Sequence, residues 1–593
     1  MAESIISPGV FARENDISFI QPAPVEASAA LIGPTVKGPV EEPTIVTSYN
    51  EFLNIFGSTF ASASVNLEFN TSVAAKSYFE QGGNSLLVAR VVSGSFTSAQ
   101  SHFVTASHGN LTSGSSFVLK THSQGTIMNG STGNAGAGYA TSMQNTAGDL
   151  KLGTEDNLRW EVSNVNGKKG TFTLSIRRGD DTHANKIVLE TFNNVSLDPN
   201  SANYIEKLIG NQRTTIATDG TKKYVKRSGD EVNKSNYVYV HEVGLKTLNY
   251  FTNDGLTVND EANGTSLSGS LPSVSSGSFN AATGNIVGAN MLMNTEISDT
   301  QTQGLLTANS ATSYDNIISV LESKDEYVFN VISAPGVVYA NATRQKAVID
   351  KIISLAETRG DCIAVVDLVN HGASTANVVT EAAKINSSYA ATYWPWLQMP
   401  SNTGSNLFQP ASTVIPGVYA FNDSAAAPWF APAGLVRGGL VGVIQAEQKL
   451  ARSQRDTLYD GKINPIATFP GAGIAVFGQK TLQTKASALD RVNVRRLLIN
   501  LKKFLGDQAN NLVFEQNTVA TRNNFLAAVN PFLESVVQRQ GLFAFRVVMD
   551  DTNNTADVVD RNQLVGQIFI QPAKTAEFIV LDFTIEPTGA TFS

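Results

Sequence analysis

Hydrophobic and polar positions follow three textures along this chain of 593 residues. From Ser48 to Val92, YNEFLNIFG and SVAAKSYFEQGG carry apolar residues at helical spacing and SLLVARVV is a short, nearly continuous apolar run, which predicts helix, helix and strand. Gly82 and Gly83 stand where the second helix should stop, since glycine accepts the backbone of a helix C-terminus. From Ser93 to about Ser310 the composition shifts to Gly, Ser, Thr and Asn, and short alternating runs such as TFTLSIRR, KIVLETF and YVYVHEV sit between turn clusters. Long helical patterns stop on one side of this zone and resume on the other. That arrangement predicts a β-rich insertion inside another domain.

After Asn316, strand and helix alternate. DEYVFNVIS predicts a strand, and TRQKAVIDKIISLAETRG places Val348, Ile352, Leu355 and Ala356 on one helical face, closed by Gly360. CIAVVDLV has the unbroken apolar character of a strand covered on both faces, and NVVTEAAKIN supplies a further helix before YAATYWPWL. This is the pattern of a parallel α/β unit. Roughly the last hundred residues read as α+β. In DRVNVRRLLINLKKFLG, Val494, Leu498, Leu501 and Leu505 make an apolar stripe with Arg495, Arg496, Lys502 and Lys503 largely off it. A second helix is expected to begin at Pro531, capped by Asn530, and to stop at Gly541. In EFIVLDFTIEP, Ile579, Leu581, Phe583 and Ile585 share one face of an expected strand.

The leader fits none of these patterns. SPGVFARENDISFIQPAPVEASAALIGPTVKGPV, from Ser7 to Val40, holds five prolines among short apolar runs, which suits neither a helix nor a secretion signal. Composition narrows the setting. The length implies several domains, and 43 basic against 51 acidic residues leave a net charge of −8, the wrong sign for direct nucleic-acid binding. A single cysteine, Cys362, excludes an intrachain disulfide and fits a reducing compartment. The most apolar stretch, APAGLVRGGLVGVI, is broken by Arg437 and glycines and falls short of the roughly 18–20 residues of a membrane span. The chain is expected to be soluble and cytosolic when made, with no membrane insertion.

The search for chemistry is mostly negative. GxxxxGK[ST], HExxH and GxSxG do not occur, and GAGIAVFG has the wrong spacing for a dinucleotide turn. DDTNNTADVVD approaches calcium-loop spacing but lacks the central glycine and terminal glutamate, so a polar turn is expected there. The six histidines are scattered outside metal-ligand spacings, and no cofactor is implied. The best catalytic candidates are Asp367, Asn370 and His371, at the strand end where open α/β sheets bind ligands. Residues there more often cap a turn. Tyr393, Trp394 and Trp396 are expected in the core rather than on a stacking platform, and Cys362 likewise. Arg491, Arg495, Arg496, Lys502 and Lys503 suit either a solvated helix face or a docking surface.

SPGVFARE, ALIGPTVKGPV, YNEFLNIFG and AKSYFEQGGNSLLVARVV near the start, and AATYWPWLQM, IPGVYAFNDSAAAPWFAPAGL, INPIATFPGAGIAVFGQKTL, DRVNVRRL and PAKTAEFIVLDF towards the end, occur in an order that resembles the tail sheath proteins of contractile-tailed bacteriophages, especially those of the large T4-like myoviruses. The β-rich middle carries no such string. The fold expected is α/β and α+β multidomain: an arm at 1–20, inner core at 21–95, a β-rich outward-facing insertion at 96–305, α/β core at 306–485, a tube-facing α+β unit at 486–576, and a second arm at 577–593.

The resemblance implies a structural subunit and no enzyme. Copies would stack as helical rings around an inner tail tube, between baseplate and tail terminator proteins, in a virion tail assembled in the host cytoplasm. They would shorten by passing between two packings of the same folded subunit. The terminal arms would add strands to neighbouring subunits, through Val10, Phe11, Ile17 and Phe19 at one end and Phe578, Ile579, Val580, Leu581 and Phe583 at the other, with Pro22 and Pro24 as an elbow. Arg522, Pro531, Glu534 and Arg539 would face an acidic tube. The same resemblance allows a bacteriocin or injection particle. Other classes left open are an α/β enzyme with a β-rich accessory domain and a glycan-binding adhesin.

Overall fold

A computed structural model describes residues 28–62, 65–92, 94–104, 115–125, 145–150, 153–220, 222–259, 267–280, 282, 308–340 and 343–577. The strand residues expected in both terminal arms, and the Pro22–Pro24 elbow, lie outside the described residues.

The central element is an eight-stranded sheet ordered Thr44–Val46, Leu86–Arg90, Ala29–Gly33, Val331–Val338, Ile363–Asp367, Ala390–Trp394, Asn464–Phe469 and Gly473–Val476. Its neighbours pair in parallel from Leu86–Arg90 to Asn464–Phe469, and each outermost strand is antiparallel. Strands from both sides of the β-rich zone therefore share one sheet, and the leader contributes Ala29–Gly33 to its middle. Alternation along each strand divides the side chains between two cores. Ala30, Ile32, Leu87, Ile332, Ala364 and Val366 face one side, and Ala29, Leu31, Leu86, Val331, Ile363 and Val365 face the other.

Helices cover both faces. The helix Thr343–Arg359 buries Val348, Ile352, Leu355 and Ala356, the face its periodicity predicts, and Gly360 ends it at φ +69°. The preceding strand differs from expectation, since it runs over Val331–Val338 and not from Asp325. Arg359 explains the offset. Its guanidinium donates to the Tyr327 carbonyl at 2.7 Å and the Ser323 carbonyl at 3.1 Å, and lies over the Phe329 ring at 4.3 Å. The Tyr327 carbonyl is thus satisfied by a side chain and not by a neighbouring strand. Cys362, Tyr393, Trp394 and Trp396 are buried, as the core reading anticipates.

Between the two halves of the sheet, the β-rich zone forms a four-stranded and a three-stranded sheet around one aromatic core, where Phe103 stacks on Phe117 at 4.2 Å between ring centres. A separate hairpin, Arg213–Asp219 with Lys222–Ser228, reaches back to the helix Ala308–Val320, where the Lys223 backbone N–H donates to Ser319 Oγ at 3.2 Å.

The C-terminal unit packs two helices on a hairpin. The first, Val492–Asn510, belongs to two cores at once: Val492 and Ile499 reach into the sheet's core, while Leu497 and Leu501 join Phe525, Val529, Leu533 and Leu542. Arg495 and Arg496 are buried, contrary to the expectation that they sit off the apolar stripe. Each has partners that offset its desolvation: Arg496 pairs with Asp423 at 2.5 Å and lies over Tyr419, while Arg495 donates to the Ser388 carbonyl at 3.2 Å and lies over Tyr389. The second helix spans Val519–Gln538, capped by Thr518, and Pro531 lies inside it rather than at its start. Its inner face, with Arg522, Phe525, Val529, Leu533 and Val536 all buried, runs continuously past the proline, so packing overrides the lost backbone donor.

Candidate functional site

Two places could carry function, and they differ in access. The first is the carboxyl end of the parallel sheet, where Asp367 closes the strand Ile363–Asp367. The turn Ala411–Thr413 lies across this end, packed against the Val331–Val338, Ile363–Asp367 and Ala390–Trp394 strands. Ser412 donates to the Asp367 carboxylate from its hydroxyl at 2.5 Å and from its backbone N–H at 3.2 Å. Burial pushes the Asp367 carboxyl up to about 7, against these hydrogen bonds and one from Gly336. The cavity beside it measures about 10 Å³, room for a single water at most. His371 turns elsewhere: its ring packs on Phe408 at 4.5 Å, and Nε2 lies 3.6 Å from a Glu447 carboxylate oxygen. The geometry does not bring Asp367 and His371 together, and Asp367 pins a plug.

The second place is the hairpin of Leu542–Val548 and Gln567–Pro572. Phe545, Val547, Ile568 and Ile570 pack inward, while Phe543 and Phe569 are 69% and 56% exposed. Among the described residues neither outer edge of this two-stranded sheet has a partner strand. Unpaired backbone donors and acceptors beside exposed aromatics are the features to which an extended segment adds. Sequence reading missed these strands, although LFAFRVV and QIFIQP carry the period-two signal. The turn between them holds DDTNNTADVVD, whose oxygens serve the chain itself: Asp550 accepts from the Thr552 backbone N–H at 2.9 Å, and Asn554 Oδ1 accepts from the Val565 backbone N–H at 2.8 Å.

On the adjacent helix Val519–Gln538, Pro531 and Glu534 lie on the exposed side. Arg522 does not join them; it is buried on the inner face and pairs with Asp551 at 2.6 Å. Arg539 caps the helix end, its guanidinium 4.9 Å from the centre of the Trp429 ring. Glu577, where the second arm was expected to begin, is tied by Arg491 at 2.7 Å, just before the first C-terminal helix, and by Tyr459 at 2.7 Å and Gln479 at 3.0 Å in the α/β core. Burial alone would raise its carboxyl, but these three hydrogen bonds outweigh it and hold the pKa below the ordinary value. No sequence signal marks this latch, because its four residues are scattered along the chain.

Residues 307–482 match the family model for the phage tail sheath protein central domain, and residues 484–586 match that for the phage tail sheath C-terminal domain. The tail sheath protein of Vibrio phage KVP40 is 33% identical over 308 residues, 45% of this chain and 46% of that protein. Residues 307–586 thus match the central and C-terminal domains of phage tail sheath proteins, in that order. The tail sheath protein of Enterobacteria phage T4 is also 33% identical, over 41% of this chain and 39% of that protein. In fold, the chain is similar to the sheath tail protein of Listeria innocua, with a TM-score of 0.51 and 11% identity across 93% of this chain and 96% of the other. The likeness agrees with the multidomain α/β fold class. The chain spans about half the length, or less, of the curated relatives it matches.

Proposed function

We propose that this protein is the structural subunit of a contractile tail sheath, polymerising as stacked helical rings around an inner tail tube and contracting by rearrangement of folded subunits to drive the tube through a host envelope. The observation that carries this reading is the run of two sheath-domain matches, in order, over residues 307–586. Assembly, not turnover, is the activity. The open edges of the Leu542–Val548 and Gln567–Pro572 hairpin support a role as acceptor for arms from neighbouring copies, residues 1–20 and 577–593, joined through main-chain hydrogen bonds. The Glu577 latch supports a fixed root for the second arm. In this reading the exposed side of the Val519–Gln538 helix, with Pro531 and Glu534, faces the tube, and Arg539 supplies the positive charge because Arg522 is engaged by Asp551. Baseplate and terminator proteins bound the polymer, which is a virion component assembled in the host cytoplasm.

Electron microscopy of the full-length protein beside a variant lacking residues 1–20 tests the reading. Striated hollow tubes from the full chain, lost or disordered in the variant, are expected. Monomers or small closed oligomers in both samples would overturn it.

A further inference from the structure

A cleft of about 310 Å³ lies where the leading segment of the core, around Pro39 to Thr44, faces the insertion. That volume sits at the small end of ordinary ligand pockets. One wall belongs to the three-stranded sheet of Ser98–Val104, Ser115–Gln124 and Val238–Glu242, from which His122 and Tyr239 line the cleft with ring centres 5.4 Å apart. The opposing wall is the Arg213–Asp219 and Lys222–Ser228 hairpin, which brings Arg213 and Arg227 to the same space.

The charges do not balance within the site. Neither arginine forms a salt bridge among the described residues; Arg213 donates to Ser228 Oγ at 3.0 Å and lies 3.5 Å from a His241 ring nitrogen. Lys120, directly opposite Tyr239 in the sheet register, is held below the ordinary lysine range by burial and by the like charge of Arg213. Among the described residues the lining holds one carboxylate, Glu42, which accepts from the Thr214 hydroxyl and is attracted to Arg227. One guanidinium is left in surplus. Gathering like charges costs free energy unless an anion offsets it.

The remaining lining is neutral and suited to hydroxyl groups. Burial pushes the His122 imidazole down to about 4, so its ring lines the cleft uncharged near neutral pH. Gln124, Gln212 and Asn236, each with a side-chain amide, line the same cleft. A bare anion would need neither an aromatic wall nor these amides, and an apolar ligand would need no guanidinium. We propose that the cleft binds an acidic sugar, a pyranoside bearing a carboxylate or a phosphate, with Arg213 and Arg227 holding the acid group and Tyr239 with His122 holding the ring. The proposal does not rest on the sheath reading, because every group belongs to one chain.

Calorimetric titration of the full chain with a uronate disaccharide, a hexose 6-phosphate, the neutral parent disaccharide and inorganic phosphate tests it. At least one acidic sugar should bind at least ~10-fold more tightly than both the neutral sugar and inorganic phosphate, a difference of about 1.4 kcal/mol, and added salt should weaken it. Whichever of the two acidic sugars binds identifies the acid group. The Arg213→Ala, Arg227→Ala double variant should weaken binding ~10-fold or more, and both side chains are exposed, so the fold should persist. No binding of either acidic sugar, inorganic phosphate binding as well as the sugars, or an unaffected double variant would each overturn the proposal.

Discussion

The eight-stranded sheet and the C-terminal hairpin use the same residue types and end differently. The large sheet finishes on Thr44–Val46 and Gly473–Val476, strands of three and four residues set antiparallel to their neighbours. Such short edges offer little ladder to an incoming strand. The hairpin has strands of seven and six residues, both edges unpaired among the described residues, and two aromatics in solvent. One sheet is closed by its own chain and the other is left available. Stability and assembly should therefore respond to different substitutions.

The largest effect on folding is expected in the closed sheet. Ile332 is fully buried in Val331–Val338, and its in-register sheet neighbours, Ala30 and Ala364, are too small to fill the space it would leave. Ile332→Ala should cost about 2–5 kcal/mol, read as a lower urea midpoint by the fluorescence of Trp394 in the same core. A change below about 1 kcal/mol would mean that this sheet tolerates voids and that the contrast is misplaced.

A smaller effect, opposite in sign, is expected at the plugged strand end. The folded pKa of Asp367 is raised to about 7 from 3.8, so the folded chain holds this proton more tightly than the unfolded one. The carboxyl's contribution to stability therefore falls as pH rises from about 4 to about 7, and above that the buried charge is a standing cost. Asp367→Asn should leave stability nearly unchanged near pH 4 and raise it by about 1–2 kcal/mol at pH 8, after allowing for one weakened hydrogen bond from Ser412. Denaturation at both pH values checks this. A variant less stable at pH 8 would show that the Ser412 contacts outweigh the burial of the charge.

The two sheets were also unequally legible in sequence. The helical face of Val348, Ile352, Leu355 and Ala356 and the run CIAVVDLV announce a doubly covered parallel sheet, because full burial writes unbroken apolar patterns. The helix through Pro531 starts a dozen residues earlier than the sequence suggests because proline is favoured in a helix's first turn and reads as a start, while the continuity of its buried face with Leu542 and Trp429 is set by tertiary packing. Arg495 and Arg496 were misassigned for the same reason: charge alone reads as surface, and their partners Ser388, Tyr389, Tyr419 and Asp423 are distant in sequence. The cleft between core and insertion left no trace, since its walls come from three separate stretches of chain.

The smallest effect on folding should accompany the most specific loss of assembly. Phe543 and Phe569 are more than half exposed on the hairpin, and neither belongs to a buried cluster. Replacing both by Ser should change unfolding free energy by no more than about 0.5 kcal/mol each, the usual range for surface positions away from packed features. If extended segments of neighbouring copies pair at these edges, cross-strand contacts with the aromatics contribute up to about 1 kcal/mol apiece, and every added subunit loses them. Sedimentation of the Phe543→Ser, Phe569→Ser variant should then show its critical concentration for tubes raised by about tenfold with an unchanged melting curve. An unchanged critical concentration would leave the aromatics as ordinary surface residues and move the acceptor role to the backbone edge alone, where proline substitutions would have to find it.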